Sequence, residues 1–456
     1  YVGCLLWGWF YKPLFSAVAI AAPLAVIVVT NPRLALYQYV FVLFLHYDVI
    51  SSVPIFLTEV SAVLVILAAI LDLLLHLDHK SSWPPLTWNY LLIVGALVLA
   101  GFFGYDPSRA VRPVLRVSFL LVTFLSLYRL SRHLEITHLA KFFFAVCVAN
   151  SVVVIGQFVE SGGAVRVFGF AWLVFDELAM LALPIGVAFF IWAERGKGLK
   201  YLIGSVPVAG ALLATQSRAP IIFGFLVVAI GLFMSSRRAK ITDLVSNPEG
   251  RASRKPVRRR VGLIVGVLAT VLIALTVSPG MLEAMLGRFE RLITVDPAGT
   301  FLLRVTLWKT AITTFWDHPL LGIGPGMFKH IHELYSSVHL DPTFYWVRGK
   351  SAHNLLLHYL AETGLVGAAA LLALFIQQFR LARRNWLPAS GSDSIGTELA
   401  IYLVALLFLL TTILEAGWMW GQMGFMAVFF SALIARSSLP YGKRHSIDNQ
   451  PFQSGH

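Results

Sequence analysis

Apolar residues gather into thirteen runs of membrane or near-membrane length, at about 14–30, 35–50, 55–75, 89–104, 114–130, 140–159, 171–193, 200–214, 221–235, 261–277, 354–376, 398–414 and 420–436. A helix needs ~20 apolar residues to cross a bilayer. The pattern therefore predicts an all-α polytopic membrane protein with twelve or thirteen transmembrane helices. The range allows for the short runs, and for the first two, which read equally as a broken or tilted pair. No internal repeat is visible at the periods of helical arrays.

One stretch breaks the pattern. Residues 278–352 mix polar and apolar positions and carry seven Lys/Arg against six Asp/Glu, so they read as a folded, mainly helical extramembrane region. Met281 to Ile293 and Phe301 to Trp316 have amphipathic helical spacing, with Asp296-Pro297-Ala298-Gly299 as a turn between them. The expected organisation is a transmembrane bundle over 1–277 with a basic loop at 236–260, the extramembrane region at 278–352, carboxy-terminal transmembrane helices over 353–436, and a polar, disordered tail at 437–456.

Composition narrows the class. Hydrophobic residues make up 58% of the chain and charged residues 13%, against roughly 45–50% and about 25% in soluble domains. That excludes a secreted or cytosolic enzyme. The sequence opens on Tyr1, which points to a trimmed start, so a cleavable leader cannot be judged. Cys4 and Cys147 stand alone in apolar surroundings and read as buried free thiols.

Charge sets orientation, because cytoplasmic loops hold the excess of Lys and Arg. The loop 236–260 carries nine basic residues against Asp243 and Glu249. Arg380, Arg383 and Arg384, and the tail with Lys443 and Arg444, fall on the same face. Such segments meet anionic membrane lipids; nucleic acid is not expected as a partner. Region 278–352 then lies on the outer face. So do Arg109, Arg112 and Arg116, against the charge bias: either the span count is off by one there, or these arginines meet an anionic ligand outside.

Candidate chemistry sits on that outer face. Thr215-Gln216-Ser217-Arg218-Ala219-Pro220 is a short polar break between two apolar runs. Ser217 can cap the helix that Pro220 opens, aiming free N–H groups and the positive helix end outward beside Arg218, a good phosphate site. Equally, Arg218 can snorkel to lipid headgroups. Arg304 and Trp308, four apart, share a helix face. Their helix leads into Leu320-Leu321-Gly322-Ile323-Gly324-Pro325-Gly326, whose glycines allow close backbone approach. His353 and Asn354 stand where the chain re-enters the membrane. There His353 is suited to act as a base or hydrogen-bond donor, and the bland alternative is a helix cap. No carboxylate or histidine spacing suits zinc, and no D-x-D pair offers magnesium, so no metal and no cofactor are expected.

Taken in order, the S-R-A-P break, R-x-x-x-W, P-L-L-G-I-G-P-G-M-F and A-H-N-L-L-L-H-Y-L-A-E-T-G-L-V-G resemble the bacterial O-antigen ligase and polymerase superfamily. The motif-bearing core is 215–367, and the topology matches over roughly 150–440. The resemblance implies a GT-C-like inner-membrane glycosyltransferase with a periplasmic active site. It would move a preassembled glycan from undecaprenyl pyrophosphate to an acceptor without metal or nucleotide sugar. By motif, the resemblance assigns catalysis to Arg218, Arg304 and His353. Arg166, before Val167-Phe168-Gly169-Phe170, is a further phosphate candidate. The family's usual asparagine after that segment is replaced here by Phe175-Asp176-Glu177, which leaves the role of Asp176 open.

One large outer loop and a short cytoplasmic tail look most like a ligase, with the lipid A–core oligosaccharide as acceptor. The alternatives are an O-antigen polymerase, a protein O-oligosaccharyltransferase and, in a different class, a lipid-linked glycan transporter. The pyrophosphate would rest against Arg218, Arg304 and Arg166. Trp308 and Asn354 would contribute to substrate binding, and Arg109, Arg112 and Arg116 would hold acceptor phosphates.

Overall fold

A computed structural model describes residues 23–45, 48–50, 53–76, 83–161, 167, 169–193, 197–246, 262, 300–330, 349–386, 392–411 and 421–439. The amino-terminal apolar runs are divided by a sharp turn. Helix α1 (Pro23–Thr30) and helix α2 (Pro32–Val42) meet at a bend of 116°. Asn31 makes the break: its Oδ1 accepts from the backbone N–H of Arg33 and Leu34 at 3.1 and 3.2 Å, while Pro32 occupies the first helical position. An asparagine cap followed by proline starts a new helix rather than continuing the old one. The two runs are a broken pair.

A short antiparallel ribbon follows, β1 (Asp48–Ile50) and β2 (Val53–Phe56). It departs from the all-helical expectation, in a stretch too short to register as a period. The remaining elements are helices: α3 (Leu57–Leu75), α4 (Thr87–Phe103), α5 (Pro107–Leu130), α6 (Ile136–Glu160), α7 (Phe175–Trp192), α8 (Leu199–Ala214), α9 (Arg218–Ser246), α10 (Thr300–Asp317), α11 (Leu355–Trp386), α12 (Ser392–Thr411) and α13 (Gly421–Ser437). Among the described residues, seven helices are long and apolar enough to cross a membrane, eight if the bent pair counts as one span. Three further apolar helices, including α4 and α8, are shorter. The chain is thus a polytopic helical membrane protein. The run at 261–277, the helix predicted at Met281–Ile293, the turn at 296–299 and the tail after Leu439 lie outside the described residues.

Helix α7 is the centre. Every residue from Phe175 to Ile191 is buried, with α6, α8, α9 and α12 around it. A helix apolar on all sides belongs inside a bundle. Small residues let its neighbours approach: a Cβ on Gly186 would lie 2.3 Å from the Phe144 ring and 2.5 Å from Ser205 Oγ. Close packing through small residues is how membrane helices associate where lipid removes the hydrophobic drive.

Side-chain contacts fix which helix ends lie together. Asn385 Nδ2 donates to Ser437 Oγ at 3.0 Å, joining the ends of α11 and α13. Arg238 of α9 donates to the Trp386 carbonyl and lies 4.3 Å over the Trp386 ring. Arg33 donates to the His133 carbonyl at 2.9 Å. At this basic end, Asp72 of α3, nearly fully buried, meets Arg129 at 2.7 Å, Arg132 at 2.8 Å, His133 at 2.8 Å and His76 at 3.3 Å. A carboxylate this buried survives only with its charge and lone pairs satisfied. Helix α9 also runs on to Ser246, so Arg237, Arg238 and Lys240 are helical rather than part of a loop. The amino termini of α5, α9 and α11 therefore gather at the opposite end, together with the candidate chemistry.

Candidate active site

Helix α10 is held against α11 by an apolar cluster of Leu307, Ala311, Phe328, Ala352 and Ala361, with Leu303 and Leu357 beside it. This packing brings Arg304 and Trp308 to the chain just before α11, where His353 sits. His353 has φ of 47°, a left-handed backbone that a non-glycine residue adopts at a cost of roughly 1–2 kcal/mol. Asn354 explains how the turn ends. Its Oδ1 accepts from Leu357 N–H at 3.0 Å and its carbonyl from His358 N–H at 2.9 Å, so Asn354 is the cap of α11. The cap fixes the backbone and leaves the His353 side chain half-buried beside α10.

Electrostatics there favour a neutral imidazole. Burial lowers the pKa of His353, and the positive charges of Arg304 and Lys350, with His358 behind them, lower it further. A neutral histidine can accept a proton. One turn from Arg304, the Trp308 indole N–H is buried and meets no acceptor among the described residues. A buried donor without a partner costs about 1–3 kcal/mol, and at a site this is a group ready for a ligand oxygen.

The glycine loop does something else than a phosphate cradle would. The N–H groups from Gly322 to Phe328 are donated inside the protein. Gly322 donates to the His318 carbonyl, Ile323 to Ala361, Gly324 to Glu362 and Met327 to Gly324, at 3.0 to 3.2 Å. Gly326 and Phe328 donate to the Glu362 carboxylate at 2.9 and 3.1 Å. In return Leu365 and Val366 donate to the Pro319 and Leu320 carbonyls at 2.8 and 3.3 Å. This exchange is possible because α11 breaks at Gly364 (φ 60°, ψ −158°), freeing backbone groups inside a membrane helix. Non-helical backbone at that depth needs protein partners, and the loop supplies them. A Cβ on Gly322 would lie 2.4 Å from the Glu362 backbone carbon, and one on Gly364 would lie 2.3 Å from that of Leu320.

The other side of the loop meets the α4–α5 corner. Tyr105 N–H donates to the Ile323 carbonyl at 3.1 Å, and the Tyr105 hydroxyl pairs with His318 Nε2 at 2.9 Å. Asp106 caps α5 through Ser108 and binds Arg109 at 3.0 Å. The Ser108 bonds and the Arg109 charge hold its carboxyl below the usual range. Arg109 and Arg112 are exposed at this corner, while Arg116, one turn deeper, is paired with Glu59 of α3 at 3.3 Å.

Arg218 is the first residue of α9, at the same end of the bundle. Ser217 occupies the cap position, its carbonyl accepting from Ile221 N–H at 3.2 Å, and Gln216 before it has φ of 55°. Arg166 lies outside the described residues. The glycine that follows it is tied down: Gly169 N–H donates to Gln157 Oε1 at 3.1 Å and Phe170 N–H to Asn150 Oδ1 at 3.0 Å. Asp176 is buried in the first turn of α7, its Oδ1 accepting from Glu177 N–H at 3.2 Å. Among the described residues, no three His, Cys, Asp or Glu side chains come together as metal ligands.

Sequence reasoning singled out Arg304, Trp308, His353 and Asn354, and the packing of α10 on α11 sets the first two near the turn that carries the others. It missed the clamping role of Glu362. The signal was there: an acid inside an apolar run, four residues after His358 and two before a glycine. Compared with known families, residues 203–372 match the family model described as O-antigen ligase. That stretch runs from α8 through the break in α11 and contains Arg218, Arg304 and His353. No match is found among curated proteins.

Proposed function

From the O-antigen ligase family domain at residues 203–372, we propose that this multi-pass membrane glycosyltransferase transfers O-antigen from undecaprenyl pyrophosphate to the lipid A–core oligosaccharide. The observation that carries the proposal is the closeness of the Arg304 charge to a half-buried, neutral-leaning His353, at the bundle end opposite the basic one. The positive-inside bias makes the basic end cytoplasmic, which turns the site toward the periplasm of the inner membrane.

In this reading the donor's polyprenyl chain lies along the bundle and its pyrophosphate rests against Arg304 and Arg218, with Arg166 as a further contact. The acceptor hydroxyl attacks the donor sugar C1 while the C1–O bond to the pyrophosphate breaks, inverting the anomeric centre. His353 takes the hydroxyl proton. Negative charge grows on the departing pyrophosphate, so guanidiniums fixed in advance stabilise the transition state more than the ground state. The Trp308 N–H, in need of an acceptor, suits a donor oxygen. Asn354 contributes by holding the His353 turn. Arg109 and Arg112, exposed at the corner beside the glycine loop, suit the phosphates of lipid A, with Arg116 braced by Glu59 behind them.

The test is direct. Purified protein is incubated with undecaprenyl-pyrophosphate O-antigen and rough lipopolysaccharide, without metal or ATP. A lipopolysaccharide conjugate is the expected product. Elongated glycan still on the lipid carrier would make the chain a polymerase, and movement of the donor without new glycosidic bonds would make it a transporter.

A further inference from the structure

The Glu362 carboxylate is buried in a membrane helix, where it is the acceptor for two loop N–H groups and lies 3.4 Å from His358 Nε2. An apolar residue there would be easier to insert, since ionisable side chains inside membrane helices are costly. What the acid gains is control of Phe328. The Phe328 N–H is bound to Glu362, its ring meets His358 edge-on at 5.6 Å, and the residue is fully buried in the cluster with Leu307, Ala311 and Ala352. Leu307 is adjacent to Trp308 and one turn from Arg304. Ala352 is adjacent to His353. Phe328 is thus the shared support beneath both halves of the site.

We propose that Glu362 is a positioning residue for transfer: through Gly326 and Phe328 it sets the spacing of Arg304 and His353. The inference rests on the glycosyl-transfer reading above. A glutamine at this position keeps the size but offers one acceptor oxygen where the carboxylate offers two, so one of the two N–H groups is left facing an NH₂. The glycine loop then loosens where it supports Phe328. Misplacement of catalytic groups by about 1 Å can lower rates roughly 100-fold.

The experiment uses the full-length protein in nanodiscs with Glu362→Gln, Arg304→Ala and the double variant. Glu362→Gln should lower kcat by roughly 100-fold with a much smaller change in donor KM. It should have little further effect in the Arg304→Ala background, because the geometry it controls is already lost. Losses that multiply in the double variant, or a Glu362→Gln enzyme with unchanged kcat, would overturn the proposal.

A second measurement does not depend on activity. Spin labels at the exposed positions Lys309 and Lys350, with Cys4 replaced by serine, should give a narrow distance distribution that Glu362→Gln broadens. An unchanged distribution would equally overturn the proposal. Should the glutamine variant fail to fold, Phe328→Leu keeps both N–H bonds, removes the ring support, and is read by the same two measurements. An unmodified protein inactive on every acceptor would count against glycosyl transfer, while the distance measurement still decides the role of Glu362.

Discussion

Arg304 stands close enough to His353, across the junction of α10 and α11, that its guanidinium adds to burial in holding the imidazole below its ordinary pKa of 6.5. The two residues are therefore coupled in a way that can be titrated. If His353 accepts the acceptor's proton, the acid limb of the kcat/KM profile reports its titration and should fall below pH 6.5. Replacing Arg304 with glutamine removes a positive charge that opposes protonation, so the limb should move to higher pH. A limb that stays fixed, or moves down, would separate His353 from the chemistry. His353→Ala should reduce transfer by roughly 10²–10⁴-fold, the usual worth of a general base.

Arg304→Lys keeps the charge and loses the planar fork. A lysine ammonium is a point charge and cannot reproduce two parallel bonds to a phosphate. A charge-assisted bond contributes about 1.5–3 kcal/mol, and ~1.4 kcal/mol is tenfold in rate. Turnover should fall roughly 10–150-fold, with the protein still inserted in the membrane. Steady-state kinetics on the purified variant decide it; a lysine enzyme as fast as the natural one would mean that Arg304 supplies charge alone.

Gly322 and Gly364 are predicted to resist any side chain. Both have positive φ, and both would drive a Cβ into backbone rather than into a movable side chain. Gly364→Ala should lower stability by more than ~1 kcal/mol, seen as a lower Tm in detergent, together with loss of transfer. Gly95, where an added Cβ would meet nothing within 4 Å, is the control: Gly95→Ala should leave transfer unchanged and should not lower the Tm.

Much of this was legible in the sequence, for reasons that the same residues make plain. Long apolar runs are a membrane's requirement, so α3, α5, α6, α7 and α11 could be read from hydropathy. Arg304 and Trp308 stand out by their spacing on one helix face, and His353 and Asn354 by their place where the chain re-enters the membrane. Hydropathy reports where lipid ends, however, and a helix can outlast the lipid: α9 continues through Arg237, Arg238 and Lys240 to Ser246. The ribbon at 48–56 was too short to show a period. The glycine loop looked like a turn or a phosphate cradle because sequence does not say where N–H groups point. Only the fold shows that Glu362 and the broken turn at Gly364 take them.

Asp72 offers a test of what is structural and what is chemical. It sits at the basic end, joined to Arg129, Arg132 and His133 within 2.8 Å. Removing one partner of a buried charge group leaves the others uncompensated, typically at about 3–5 kcal/mol. Asp72→Asn should therefore lower the denaturation midpoint strongly, while the activity per folded molecule stays near the natural value. A large kcat defect in folded protein would tie this end of the bundle to the reaction.

The acceptor side makes the last prediction. Arg109 and Arg112 are exposed beside the loop, whereas Arg116 is spent on Glu59. If the first two read lipid A phosphates, Arg112→Ala should raise KM for a phosphorylated lipid A–core acceptor and leave KM for a dephosphorylated one unchanged. Exposed charge contacts are screened by salt, so raising ionic strength should shrink the difference between the two acceptors in the natural enzyme. Arg116→Ala should act differently: it removes the ion pair to Glu59 and should lower stability before it alters acceptor preference. Equal KM values for both acceptors in the natural enzyme would remove these arginines from recognition and leave them to the lipid headgroups.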